Sequence, residues 1–426
     1  MSFMKKSATA LVLTAAAAAT SSAFAAGFQL TEQSSLGLGR SYAGAGIVGD
    51  DLSAVHYNPA GMTLLPGTRF QAGGVWIAVD APITMANDST ENGRLKGQMI
   101  PAGYTTHQVN ENLWLGFAMT VPFGMGTEYG QKWDGADRGY KSKLYTFDMN
   151  PNFAWKVNDF LSIGGGLSVQ YAKATLGLNK TIIDAELDAD SWDWGYNFGV
   201  MISPNEKLRF GLSYRSSIEH NAEGTMTFAN GLGPATALNG VTFSSSATVK
   251  TPDTVMFTGT WEVNDALRLS GLIRWAKWSN FDTLVIESNV PGIIAGALDE
   301  KIPGMSKTLA KSEIPNDWED TWLFSVGADY AINSNWTVRG GVAYEKDPIS
   351  DSKYRMAIIP DTDRVWLSLG STYKYNDQLQ FDIGAAWLMG VGNKDLYYTD
   401  YMGNNQKAEY DSLDAYLVGV QMQYRF

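Results

Sequence analysis

The sequence predicts an all-β protein, a 14-stranded antiparallel transmembrane β-barrel with a small N-terminal helical hatch in its lumen. Three observations support this prediction. Short polar turns alternate with long polar stretches, and the segments between them alternate between apolar and polar residues with a period of two. A Gly- and Ala-rich segment precedes the first strand. Aromatic residues make up 12% of the chain, as expected where strands face lipid on one side and water on the other.

The first 25 residues are predicted to be a secretory signal peptide. Lys5 and Lys6 precede an apolar run, residues 11–19, that is too short to span a bilayer, and Ala23-Phe24-Ala25 forms an A-x-A cleavage site. The mature chain is therefore expected to begin at Ala26. The absence of cysteine excludes disulfides and thiolate chemistry. The net charge of -12 argues electrostatically against nucleic acid as a partner.

Residues 26–67 are predicted to form the hatch, and residues 68–426 the barrel around it. The hatch is too poor in large apolar residues to build its own core, so a larger structure must enclose it. Six short turns and seven long stretches connect fourteen strands, an asymmetry typical of outer-membrane barrels. The turns are at Asn110-Glu111-Asn112, Asn158-Asp159, Pro204-Asn205-Glu206, Asn264-Asp265, Asn333-Ser334-Asn335 and Asn376-Asp377. The predicted loops are residues 81–96, 125–139, 177–191, 217–248, 279–318, 347–362 and 391–411.

The last predicted strand shows the alternation most clearly. One of its faces is apolar or aromatic and the other is polar, which indicates lipid outside and water inside. The apolar face carries Tyr416, Val418, Val420, Met422, Tyr424 and Phe426, and the polar face carries Gln421, Gln423 and Arg425. The same pattern sets Leu267, Leu269, Ile273 and Trp275 against Arg268 and Arg274.

Several motifs resemble the FadL family, which comprises outer-membrane transporters of long-chain fatty acids and other hydrophobic molecules. Those in the hatch are Ala26-Gly27-Phe28-Gln29-Leu30, Gly37-Leu38-Gly39-Arg40, Asp50-Asp51 and Asn58-Pro59-Ala60. Later blocks, in family order, are Tyr214-Arg215-Ser216, Trp278-Ser279-Asn280-Phe281, Trp318-Glu319-Asp320-Thr321-Trp322 and residues 359–368. The resemblance implies a passive import channel in the cell outer membrane, not an enzyme, with no cofactor and no metal. Contact with outer-membrane lipid and lipopolysaccharide, and a monomeric state, are expected.

Asn58-Pro59-Ala60 has two compatible interpretations. Pro suits a first helical turn and Asn tolerates the end of a helix, so one helix should stop at Asn58 and another begin after it. The family resemblance implies, in addition, that this motif belongs to the hatch that closes the lumen.

Pro122, Phe123 and Gly124 interrupt the third predicted strand. Pro removes a backbone donor and Gly lets the chain turn, so the wall should bend or end there. One interpretation is a strand that simply ends at the outer interface. The resemblance implies another, an inward kink that opens a lateral hole through which hydrophobic cargo reaches the bilayer. The polar residue of the family two positions before the aromatic is Val121 here, so ligand binding by that residue does not carry over.

A fatty-acid carboxylate would need a cation beside an apolar tunnel. The candidates are Lys180, Arg215 and Lys311, although a solvated charge is the simpler interpretation of each. None aligns cleanly with the basic ligand residues of the family, so aromatic hydrocarbons compete with fatty acids as cargo.

Two further functions stay open at this stage. A nonspecific porin would have an unplugged, conducting lumen. A barrel hydrolase would need a serine–histidine pair, for which His107 and His220 are the plausible bases. The isolated histidines give no metal-binding motif.

Overall fold

The computed structural model describes residues 26–93, 97–179, 183–301, 303–400 and 402–426. The predicted signal peptide lies outside the described residues. The strands in the described part of the chain are β1 (Thr68–Asp80), β2 (Pro82–Thr84), β3 (Thr90–Asn92), β4 (Gln98–Gln108), β5 (Leu113–Thr120), β6 (Gly124–Glu128), β7 (Lys141–Lys156), β8 (Leu161–Asn179), β9 (Asp184–Asn205), β10 (Leu208–Arg215), β11 (Glu219–Ala229), β12 (Thr242–Lys250), β13 (Thr254–Glu262), β14 (Leu267–Ala276), β15 (Thr283–Ser288), β16 (Lys311–Pro315), β17 (Thr321–Ala331), β18 (Trp336–Glu345), β19 (Arg364–Lys374), β20 (Leu379–Gly390), β21 (Asp395–Thr399), β22 (Asn405–Tyr410) and β23 (Asp414–Arg425).

Nineteen of these strands form one closed antiparallel wall. Five of its positions are built from two consecutive segments, namely β5 with β6, β10 with β11, β12 with β13, β14 with β15, and β16 with β17. The wall therefore has the fourteen predicted strands. It closes where β1 pairs with β23, from Arg69↔Arg425 to Asp80↔Asp414. The prediction of a 14-stranded barrel is confirmed.

The six short turns share one local interaction. In each, an Asn side-chain oxygen accepts a hydrogen bond from the backbone N–H two residues later. This Asx turn gives the backbone a local partner outside the ladder, which is why Asn favours such positions. The turns that the sequence predicts therefore reverse the chain through the side chains that identify them.

The polarity of the wall reverses along β9. We call the end of β9 at Asn205 lower and the end at Asp184 upper. In the lower part the outward Trp194, Phe198 and Val200 are exposed while the inward Asn197 is buried. In its upper part the outward Asp188 and Asp190 are exposed, and the inward residues, Ala185, Leu187 and Ala189, are apolar and buried. The lower barrel thus presents an apolar surface to lipid, and the upper barrel extends into water around an apolar interior.

Four predicted loops are wrong in part. Residues 125–139 contain most of β6, and residues 177–191 contain the end of β8 and the beginning of β9. Residues 217–248 and 279–318 contain β11, β12, β15 and β16, which extend the wall upward. Their outward faces are polar because water surrounds them, and this polarity resembles that of a loop. The same stretches also contain a 3₁₀ helix (Gly233–Leu238) and the helices α3 (Gly292–Lys301) and α4 (Met305–Ala310). Further out, β21, β22, β2 and β3 form a separate sheet.

Residues 26–67 form short helices and turns that pack inside the wall. The helices are α1 (Ser35–Leu38), α2 (Ala54–Tyr57) and a 3₁₀ helix (Pro59–Leu64). Wall glycines allow this close packing, since a Cβ on Gly384 would lie 2.1 Å from the Ser35 carbonyl oxygen. None of the helices in the described residues is long and apolar enough to cross a membrane.

Candidate functional site

The side chain of Phe28 fills an aromatic box in the upper lumen. Its ring centroid lies 4.7 Å from Trp278, 5.4 Å from Phe281 and 6.0 Å from both Phe123 and Trp318. These edge-on and tilted geometries are favourable for aromatic pairs. The box is part of a larger buried cluster from the inner faces of the upper wall, which includes Met125, Leu187, Met226, Phe228, Phe243, Ile286 and Leu309. The site is therefore apolar, enclosed and occupied by the chain's own N-terminal segment.

Gly27 places Phe28 in this box. It has a φ of +65°, and a Cβ there would lie 2.6 Å from the Trp318 ring, so no larger residue fits without a rearrangement. The Gly27 N–H donates a 2.6 Å hydrogen bond to Asp361 Oδ2. This bond, a longer one from the Ala26 N–H to Glu345 Oε1 (3.4 Å) and the ring contacts hold this end of the chain.

The wall is interrupted beside the box. β5 ends at Thr120 and β6 begins at Gly124, and both pair with β7, so the strand resumes after the interruption. The ladder between β4 and β5 runs from Gln108↔Trp114 to Gly103↔Met119. Extending that register would place Pro101 opposite Val121, yet the described residues of β6 form a ladder with β7 only. The two neighbouring strands thus separate above Gly103.

The hatch satisfies the backbone groups that this separation exposes. Leu30 N–H donates to the Pro122 carbonyl (2.8 Å), and Gly124 N–H donates to the Phe28 carbonyl (2.9 Å). On the opposite side, Phe123 N–H donates to Thr146 Oγ1 (3.0 Å). Because an unpaired backbone group in an apolar environment costs several kcal/mol, on the order of 2–7, the break persists only with partners of this kind. The chain segment around Phe28 therefore has two roles. It fills the box, and it provides backbone hydrogen-bond partners at the break in the wall.

Asn58 links the hatch helices to the wall. Its backbone N–H closes α2 on Ala54, and its side-chain oxygen accepts from Ala60 N–H (3.1 Å) at the start of the 3₁₀ helix that Pro59 opens. The Asn58 amide also donates to the Val200 carbonyl of β9 (3.0 Å). This residue thus has the local stop-and-restart geometry and, in addition, a direct tie to the barrel.

Of the three predicted cations, the two in the described residues do not converge on one site. Lys180 lies outside the described residues. Lys311 is half-exposed at the start of β16, a strand rather than the predicted loop, and pairs with Glu313 at 2.7 Å. Arg215 points inward, where it donates to Ser168 Oγ (2.8 Å) and the His56 carbonyl (3.0 Å) and lies 3.5 Å from Asp148.

Arg215 lines a small internal cavity of about 60 Å³, together with Tyr57 and Arg274. Arg274 was not among the predicted candidates. Its guanidinium donates to Thr31 Oγ1 (2.7 Å) and Glu345 Oε1 (2.6 Å). The alternation of β14 already places Arg274 on the inward face, so this signal could have identified it. Both arginines that border the cavity are paired with carboxylates.

The lower hatch is held by buried charges. Arg40 lies 2.6 Å from Asp50 within the hatch and 3.4 Å from Asp329 of the wall. Arg268 contacts both carboxylates, and Arg339 contacts Asp329 at 2.9 Å. Removing one partner from such a buried network costs about 3–5 kcal/mol, so this part of the hatch is anchored much more firmly than the segment around Phe28.

The histidines do not form a hydrolytic site. His220 Nδ1 lies 3.2 Å from Ser191 and 3.1 Å from Asp193, while Nε2 faces Gln170 at 3.0 Å. A catalytic triad needs the serine and the carboxylate on opposite ring nitrogens. His107 is exposed and contacts Thr68. Within the described residues, no group of three or more His, Cys, Asp and Glu side chains could hold a metal ion.

Comparison with known proteins gives consistent results. The family described as "Outer membrane protein transport protein (OMPP1/FadL/TodX)" matches residues 16–426. The chain is 28% identical to the long-chain fatty acid transport protein of Escherichia coli O6:H1, with 97% of each chain covered. It is also 28% identical to outer membrane protein P1 of Haemophilus influenzae, covering 99% of this chain and 100% of that protein.

Two solved structures share the fold. A Pseudomonas aeruginosa FadL homologue has a TM-score of 0.77 at 22% identity, with 94% of this chain and 100% of that chain covered. The Pseudomonas putida toluene transporter TodX has a TM-score of 0.71 at 13% identity, with 92% and 98% covered.

Proposed function

We propose that this chain, which belongs to the outer membrane protein transport family (OMPP1/FadL/TodX), imports long-chain fatty acids and releases them sideways through the interrupted wall. Members of this family are transport channels for hydrophobic compounds and not enzymes. The chain is accordingly an outer-membrane β-barrel transporter. The proposal adds a cargo and an exit to that identity.

One observation carries the lateral exit. The apolar cluster around Phe28 includes Phe123 and Met125, which border the gap between β4 and β6. An acyl chain in the box would reach the edge of the wall without crossing the polar lower lumen, which the hatch fills. A route of this kind keeps apolar surface out of water, at roughly 25 cal/mol for each Å².

Phe28 acts as the gate in this proposal. Cargo and Phe28 compete for one aromatic box, so binding favours a state in which residues 26–30 have left it. The same residues hold the Pro122 carbonyl and the Gly124 N–H. Occupation of the box by cargo therefore also frees the interrupted strand.

The identity of the cargo rests on the relatives. The E. coli protein is named for long-chain fatty acids, and it aligns with nearly the whole of this chain. Arg215 would contact the carboxylate of the fatty acid at the cavity. Its guanidinium would then lie between that carboxylate and Asp148. Lys180 and Lys311 remain predictions as further ligands.

Aromatic hydrocarbons are a second candidate, which a specific observation favours. Both arginines at the cavity are already neutralised, and the box is built from aromatic rings that suit an uncharged aromatic guest. TodX is named a toluene transporter.

A monomer in contact with lipopolysaccharide also remains a prediction, which chemical cross-linking in whole cells would test.

The decisive experiment measures uptake of oleate and of toluene by cells with and without this protein. Oleate uptake that depends on the protein supports the proposal, while protein-dependent toluene uptake alone favours the second candidate.

The exit is tested with Pro122→Val combined with Gly124→Thr, which restores a donor and two strand-forming side chains. Uptake should collapse, and binding of a fluorescent fatty acid to the purified protein should stay within a few-fold of wild type. Normal uptake by the correctly inserted double variant would exclude the lateral exit.

A further inference from the structure

The side chain of Gln33 occupies an unusual position at the wall break. Its Oε1 accepts a hydrogen bond from Val121 N–H (3.3 Å), and its Nε2 donates to the Val121 carbonyl (2.7 Å). A side-chain carboxamide thus pairs with both backbone groups of one residue, as a neighbouring strand would. Val121 is the first residue of the interruption and is almost fully buried.

The backbone of Gln33 is fixed independently of this contact. Its carbonyl accepts from Tyr104 Oη of β4 (2.7 Å), and its N–H donates to the Thr31 carbonyl (2.8 Å). Residues 26–30, here called the release segment, lie immediately before this anchor. Gln33 therefore stays in place when the release segment moves.

The carboxamide of Gln33 contacts the release segment as well as the wall. Nε2 donates a second hydrogen bond to the Leu30 carbonyl (3.2 Å), while Leu30 N–H pairs with Pro122. One amide group thus holds the end of the release segment with one N–H and Val121 with the other. If Leu30 leaves, the carboxamide loses a partner in a buried place, and its hold on Val121 must readjust.

We propose that Gln33 is a positioning residue that couples departure of the release segment to movement of the interrupted third wall strand. This inference rests on the proposed function for its biological meaning, but the coupling itself can be measured without transport. Gln33 would keep the wall closed until the box is occupied, and it would let the strand move when Phe28 is displaced.

Gln29 provides a matched control within the same segment of the hatch. It is the same residue type, and its Nε2 makes one long hydrogen bond, to Thr254 Oγ1 at 3.4 Å. Its Oε1 has no hydrogen-bond partner among the described residues. Replacing Gln29 by Leu removes a similar amide without touching Val121.

Amide hydrogen exchange of the purified protein measures the coupling. Without ligand, Gln33→Leu should raise exchange at Leu30, Val121 and Gly124 about tenfold, Gln33→Glu should raise it less because the acceptor for Val121 N–H remains, and Gln29→Leu should leave it near wild type. Exchange in the β8–β9 hairpin should not change in any variant. With oleate, the wild type should show increased exchange at Leu30 and Val121 together. In Gln33→Leu, oleate should increase exchange at Leu30 only.

Equal exchange at these amides in Gln33→Leu and wild type would overturn the inference. So would an equal rise in Gln29→Leu, or a rise across the whole barrel, because either would indicate general loosening. Failure of the proposed function looks different. In that case the wild type takes up no oleate, while the ligand-free exchange pattern still separates Gln33 from Gln29.

Discussion

The lower and upper parts of the barrel use the same strands with opposite polarity. Along β9, exposed aromatic and aliphatic residues cover the lower outer face, whereas Asp188 and Asp190 cover the upper outer face. The inner face changes in the opposite sense, from Asn197 below to Leu187 above. Strand alternation shows that a segment is a strand, but only the direction of the alternation shows whether lipid or water surrounds it. The upper part therefore has an apolar interior, which suits a hydrophobic cargo.

The largest test of this contrast removes the contents of the lower part. Deleting Gly27 to Gly61 takes away Arg40 and Asp50, and the wall charges that faced them become hydrated. We expect a folded barrel whose polar lower lumen conducts ions freely, in contrast to the wild type, whose lower lumen contains the hatch. Single-channel recording in planar bilayers measures the difference. A deletion variant that conducts no better than wild type would show that residues 26–67 are not a plug.

A second test places a charge on the outer face of each part. Phe198 is 56% exposed on the lower outer face, so Phe198→Arg should destabilise the barrel by about 2–4 kcal/mol in lipid. Thr225 is exposed on the outer face of β11 above the reversal, so Thr225→Arg should change the stability by less than about 0.5 kcal/mol. Urea titrations of both variants refolded into lipid vesicles compare the two values. Equal destabilisation would mean that the reversal on β9 does not mark the edge of the bilayer.

The same contrast explains what the sequence could predict. Six Asn-centred turns and lipid-facing alternation identify the fourteen strands, because both signals are local. These signals do not identify the upper segments β11 and β12. Their outer faces are as polar as a loop sequence, and their inner faces carry small or widely spaced apolar residues. The pairing of Arg215 with Asp148, and of Gln33 with Val121, joins residues distant in sequence. Nothing in either local sequence specifies that contact.

Glu32 lies in the hatch near the release segment and gives a smaller, pH-dependent effect. It is 1% exposed, and neither carboxylate oxygen has a hydrogen-bond partner among the described residues. Burial, and then the charge of Glu345, raise its pKa from 4.5 to about 8. Once released into water, the carboxyl group would return to its ordinary pKa. Between those two pH values, buried Glu32 holds a proton that it would lose in water. The closed state in which Glu32 is buried is therefore favoured at low pH and becomes less stable as pH rises towards 8.

Channel opening should therefore become more frequent as pH increases, by at most about tenfold between pH 6 and pH 7. Glu32→Gln, which carries no titratable proton, should open with a frequency that does not vary over this range. Gln29→Leu should keep the slope of the wild type. Recordings of ligand-free openings at a series of pH values measure the three slopes, and an unchanged slope in Glu32→Gln would assign the titration to another group.

The smallest expected effect tests the upper interior directly. Leu187 belongs to the buried apolar cluster, and its side chain points away from the solvated outer face of β9. Leu187→Asn places an amide where an acyl chain would lie, and a loss of roughly 1 kcal/mol corresponds to about fivefold weaker binding. Thr225→Asn makes the same amide on the outer face, where water already solvates it, and should bind like wild type. Titration with a fluorescent fatty acid compares the two dissociation constants. If Thr225→Asn weakens binding as much as Leu187→Asn, the cargo does not lie inside the upper barrel; if only Leu187→Asn does, the apolar interior above the bilayer is the part of this protein that receives it.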